Sequence, residues 1–173
     1  EFDGEAFCKK RVILVTINYR VNIFGFFAHP WLDAENERHI SGNYGILDQI
    51  AALKWVHNNI ENFGGDNKNI TVFGQSAGSM STQVLCSSKL TEDIPAKAIL
   101  QSGISCEEEI LATPTLEEEE KIGEEFVTLT GKNSLEELRE MSAEEIFEVE
   151  CKLTEALFES GRGLMLVPNV DGY

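Results

Sequence analysis

The chain has 173 residues, 42% hydrophobic and 25% charged, a composition that fits one well-packed globular domain and excludes a disordered or fibrous chain. Its formal net charge of -16 makes it a poor binder of nucleic-acid phosphates. No run reaches the roughly 18 apolar residues that span a bilayer, so no membrane span is expected.

In chain order, Arg11 to Tyr19 is short, apolar and β-branched, and predicts a central parallel strand covered on both faces. Asn22 to Asn43 mixes Gly, Pro, Asn and charges and predicts a long irregular connection. Gly45 to Asn62 carries helical spacing at Leu47, Ile50, Leu53 or Lys54, and His57. The cluster Phe63-Gly64-Gly65-Asp66-Asn67 stops that helix. A second strand is expected at Asn69 to Phe73, a helix at about Ala77 to Ser88, and a third strand at Ala98 to Gln101. Strand and helix alternating in this way predict an α/β fold with a mostly parallel sheet and crossover helices. Asn69-Ile70-Thr71 matches a glycosylation sequon but falls in the expected buried strand, which gives it a structural reading.

The character changes after Cys106. Residues 107–160 hold 18 acidic and 4 basic side chains, and solvated helix faces account for them. Thr115 with Glu118, Ser134 with Glu137, and Ser142 with Glu145 each have capping-box spacing. Behind them, Ile122, Phe126 and Leu129 share one helical face, as do Leu135 and Leu138, and Ile146, Val149, Leu153 and Leu157. Gly131 reads as a helix C-terminal cap. The organisation expected is one partial domain: residues 1–106 form the sheet core, 107–160 an acidic helical segment, and 161–173 the start of the next core segment.

Chemistry concentrates at Gly74-Gln75-Ser76-Ala77-Gly78, a G-x-S-x-G sequence between an expected strand and an expected helix. That context is what a nucleophile elbow needs: a tight turn that lifts the serine oxygen above the sheet. Gly74 and Gly78 lack a Cβ and let strand and helix approach closely. Ala77 opens the helix, so its backbone N–H suits a developing oxyanion. Ser76 is therefore the candidate nucleophile and Ala77 the candidate oxyanion donor. A serine needs a base, and in this fold the acid and then the histidine follow the serine. His29, His39 and His57 all precede Ser76, and none is assigned as the base. Asp171, in a Val-Asp-Gly turn, reads as a turn former. Cys8, Cys86, Cys106 and Cys151 lack metal or redox spacing and read as reduced thiols, with a Cys106–Cys151 bridge left open. These thiols point to a reducing, cytoplasmic compartment, and although no leader is visible, secretion stays open.

These residues resemble the type-B carboxylesterase/lipase family. The resemblance is carried by Val15-Thr16-Ile17-Asn18-Tyr19-Arg20-Val21, Gly42-Asn43-Tyr44-Gly45-Ile46-Leu47-Asp48-Gln49, Ala52-Leu53-Lys54-Trp55-Val56 and Asn62-Phe63-Gly64-Gly65-Asp66. Gly74-Gln75-Ser76-Ala77-Gly78, Ile99-Leu100-Gln101-Ser102-Gly103 and the closing Pro168-Asn169-Val170-Asp171-Gly172 complete it. The resemblance implies an α/β-hydrolase fold and cleavage of small-molecule carboxylic esters through an acyl-enzyme on Ser76, with no metal or organic cofactor. It implies a salt bridge between Arg20 and Asp48, and a supporting role for Ser102. Gln75 departs from the Glu of cholinesterases and argues against choline esters. Family members are much longer, so the chain reads as an internal piece. The Gly-rich oxyanion loop, the acid and the histidine are expected outside it, and the piece is expected to be inactive alone. A non-catalytic binding protein of the same fold is the alternative, which the intact Ser76 disfavours.

Overall fold

Along the chain the helices are α1 (Glu5–Cys8), α2 (Asn22–Phe26), α3 (Pro30–Glu35), α4 (Tyr44–Asn59), α5 (Ala77–Ser87), α6 (Leu116–Thr130), α7 (Leu135–Arg139) and α8 (Ala143–Glu159), with strands β1 (Thr71–Gln75) and β2 (Lys97–Gln101). The structure, a computed structural model, describes residues 3–103, 113–162 and 166–172. Cys106 and the opening of the acidic segment lie outside them. The chain packs as two units: Glu1–Tyr19 with Ile46–Ser105, and Arg20–Gly45 with Cys106–Tyr173.

In the first unit, β1 and β2 pair in parallel, with Thr71 opposite Lys97 and Gln75 opposite Gln101. Parallel neighbours need a crossover, and α5 supplies it, packing on both strands. The strand expected at Arg11 to Tyr19 is not formed. No described residue pairs with it, and Val12, Ile13, Val15 and Ile17 are exposed. Apolar, β-branched sequence favours extended backbone, but a strand also needs a neighbour for its N–H and C=O groups. β1 begins two residues later than expected. Asn69 stands exposed before it, and its Oδ1 accepts a bond from Lys97 Nζ at 2.6 Å. The buried face of α4 carries Ile46, Gln49, Ile50 and Leu53, whereas Leu47 is exposed. One sequence position is about 100° around a helix, which is enough to turn Leu47 to solvent. After α4 a 3-10 turn, Ile60–Phe63, ends at Gly64 in the left-handed conformation.

In the second unit, the connection expected to be irregular forms α2 and α3. Pro30 is pre-set for the first turn of α3, and His29 Nδ1 caps it by accepting the Trp31 N–H. Thr115 and Ser142 each make the full reciprocal capping box with Glu118 and Glu145. At Ser134 the box is open: its hydroxyl accepts the Glu137 N–H, but Glu137 reaches back to the Asn133 N–H instead. Gly131 ends α6 in the left-handed conformation, as expected. The core face of α6 holds Ile122, Phe126 and Val127, with Leu129 turned out. α6 packs on α8, whose Leu153 and Leu157 are buried. The acidic helices are not wholly solvated, because Glu119 and Glu150 are buried as well.

Candidate active site

Ser76 is the single residue between the end of β1 and the start of α5, with φ 53° and ψ -120°. A non-glycine residue rarely adopts positive φ, and the strain costs about 1 to 3 kcal/mol. Its backbone is pinned from both sides. Ser76 N–H donates to the Gln101 carbonyl at the end of β2 (2.9 Å), and its carbonyl accepts from Ser79 N–H (2.8 Å) and Met80 N–H (3.2 Å). The side chain is exposed and makes no capping bond to the helix it precedes. Ala77 is the first residue of α5, so its N–H has no carbonyl one turn back and lies at the positive end of the helix.

Gly74 is required by close approach: a Cβ there would overlap the Gly78 backbone carbonyl. Gly78 differs from the expectation, because a Cβ on it would meet nothing within 4 Å among the described residues. The tight contact is made by the Gly78 main chain, and only Gly74 must lack a side chain. Sequence reasoning missed two further residues. A Cβ on Gly103 would stand 2.5 Å from the Ser76 carbonyl oxygen. Ser79 is fully buried and donates its hydroxyl to the Gly103 carbonyl at 2.5 Å. The available signal was a serine three positions after Ser76, on the helix face that returns to the sheet. Ser102, beside them, also has positive φ (55°).

Two of the three histidines are bonded elsewhere. His29 is buried, and that burial lowers its pKa, with Glu124 and Asp33 opposing. His39 Nδ1 meets the Asp33 carbonyl at 3.2 Å. His57 lies on α4 with its Nδ1 buried and unbonded among the described residues. Asp171 accepts a bond from Asn43 Nδ2 at 2.9 Å. Asn43 also bonds the Asn169 main chain through its Nδ2 and Oδ1, so Asp171 belongs to a turn-holding cluster, in line with its sequence reading. No cluster of His, Cys, Asp and Glu able to hold a metal occurs among the described residues. Cys8, Cys86 and Cys151 form no disulfide among the described residues, which do not include Cys106. No helix is long and apolar enough to cross a membrane among the described residues.

The profile of the carboxylesterase family matches residues 1–173. Fumonisin B1 esterase of Sphingopyxis macrogoltabida is 52% identical over 101 residues, covering 58% of this chain and 19% of that protein. Para-nitrobenzyl esterase of Bacillus subtilis (strain 168) is 39% identical over 173 residues, covering 98% of this chain and 33% of that protein. The crystal structure of a Geobacillus stearothermophilus carboxylesterase at pH 6.2 superposes with a TM-score of 0.82 at 40% identity, covering 99% of this chain and 34% of that one. The chain thus spans about a third or less of the length of these relatives.

Proposed function

The chain belongs to the carboxylesterase family and carries the α/β-hydrolase fold, and on that premise we propose that the protein hydrolyses small carboxylic esters through an acyl-enzyme on Ser76. The observation that supports this most is the conformation of Ser76, whose exposed hydroxyl is spent on no helix cap. A residue bent into a costly conformation and held by bonds at both its N–H and its carbonyl is a site where folding stability has been given up for geometry.

In this reading a base takes the Ser76 proton and the oxygen attacks the ester carbonyl. The Ala77 N–H donates to the oxyanion that forms. The alcohol leaves, and water then releases the acid from Ser76. None of these steps calls for a metal or an organic cofactor. The relatives' names join esterase activity to two different compounds, which supports a small-molecule ester as the substrate class. The cysteine spacing, which lacks a disulfide framework, supports a reducing setting.

The test is covalent labelling of the full-length protein by a fluorophosphonate, with the modified peptide located by mass spectrometry. The adduct is expected on Ser76. Ser76→Ala should abolish it and lower kcat/KM for p-nitrophenyl acetate by about 10⁴-fold or more. A folded protein that takes no label would instead support a non-catalytic member of the fold.

A further inference from the structure

We propose that Ser79 is a positioning residue for Ser76, acting through the Gly103 carbonyl. The inference rests on Ser76 being the nucleophile. Three observations carry it. Ser79 is completely buried on the first turn of α5, and its Oγ donates to Gly103 O at 2.5 Å. The Gly103 main chain packs so closely on Ser76 that a Cβ would stand 2.5 Å from the Ser76 carbonyl oxygen and 3.1 Å from Ser79 Cβ. Both Ser76 and Ser102, which lie side by side at the ends of β1 and β2, hold positive φ.

The physical sequence is short. β2 ends at Gln101, whose carbonyl takes the Ser76 N–H. The chain then turns at Ser102 through a conformation that costs free energy in a non-glycine residue. Left alone, that turn would relax and release Gly103 from the Ser76 carbonyl. The Ser79 hydroxyl closes the loop: the helix that begins at the nucleophile reaches back and holds the segment pressing on the nucleophile's own peptide. Removing the hydroxyl leaves a half-buried carbonyl without this partner, and the strained turn is then free to move. A displacement of about 1 Å at a reacting oxygen can slow catalysis by about 10²-fold.

Ser79→Ala in the full-length protein is expected to lower both kcat for p-nitrophenyl acetate and the rate of fluorophosphonate labelling by roughly 10-fold, with KM within about twofold. Ser79→Thr keeps the hydroxyl and should recover most of the rate. If Ser79→Ala does not fold, Ser79→Cys, close in volume and a weak donor, is read in its place with the same expectation. Labelling and kcat at the wild-type level in the folded Ala or Cys variant overturn the proposal alone, since a merely structural hydroxyl would lower thermal stability without touching the rate. A wild-type protein that takes no label at Ser76 overturns the esterase reading and this proposal together.

Discussion

Glu119 shows what a single buried side chain does to the second unit. It sits fully buried on α6, and one carboxylate oxygen accepts the Leu166 N–H at 3.3 Å while the other finds no partner among the described residues. Burial pushes its pKa up to about 7, partly opposed by the Leu166 and Val167 amides. Between the unfolded value near 4.5 and 7, the folded chain keeps a proton that the unfolded chain has released. Stability therefore falls as pH rises through that window and levels off above it. The size is roughly 3 kcal/mol. Neighbouring Glu120, raised to about 7 by burial and then by its bond to Asp33, acts in the same direction. Glu119→Gln should accordingly remove the larger part of the loss in unfolding free energy between pH 5 and pH 8, since Glu120 is more exposed and better screened. Urea unfolding at the two pH values measures it, and a slope equal to wild type would show that Glu119 does not titrate in that range.

At the scale of elements, the helix ends respond with the opposite sign. Glu118 is held below the usual carboxylate range by the Thr115 N–H and then by the Thr115 hydroxyl, and Glu145 likewise by Ser142. Their contribution is complete above the unfolded pKa and is lost as pH falls through the folded one. Thr115→Ala and Ser142→Ala should each cost about 1 kcal/mol near neutral pH, read as a lower urea midpoint with an unchanged slope. These caps were legible in the sequence because each is a local rule over four residues. So was the turn at Ser76, where strand, glycine and helix signals coincide within a few positions. Elements that depend on distant partners were not legible. Arg11 to Tyr19 has strand composition but no ladder among the described residues. Leu47 and Leu129 fit a helical stripe in sequence and face solvent in the structure, because the partner surface decides which arc of a helix is covered. Glu119 and Glu150 were counted as solvated, although each falls three and seven positions before core residues on its own helix: Ile122 and Phe126 for one, Leu153 and Leu157 for the other. Ser79 and Gly103 escaped for the same reason, since their bond joins residues 24 apart in sequence.

Across the whole molecule, the acidic excess and the candidate nucleophile fall in different parts of the sequence. The acidic excess belongs to residues 107–160, whereas Ser76 lies in the unit built from β1, β2 and α5. A hydroxyl lifted by a strained turn is still a weak nucleophile without a base, and two of the three histidines of this chain are bonded elsewhere. His29 is buried with Nδ1 taken by Trp31, His39 meets the Asp33 carbonyl, and His57 carries a buried Nδ1 on α4. We therefore expect the 173 residues expressed alone to hydrolyse p-nitrophenyl acetate no faster than their own Ser76→Ala variant. Stopped assays at pH 8 on the two proteins decide it, with circular dichroism to verify that both are folded. Turnover that disappears with Ser76→Ala would mean that a base exists within the chain. His57→Ala would then be the next measurement, because His57 is the histidine that shares a unit with Ser76, and loss of that turnover would move the base from outside these residues to α4.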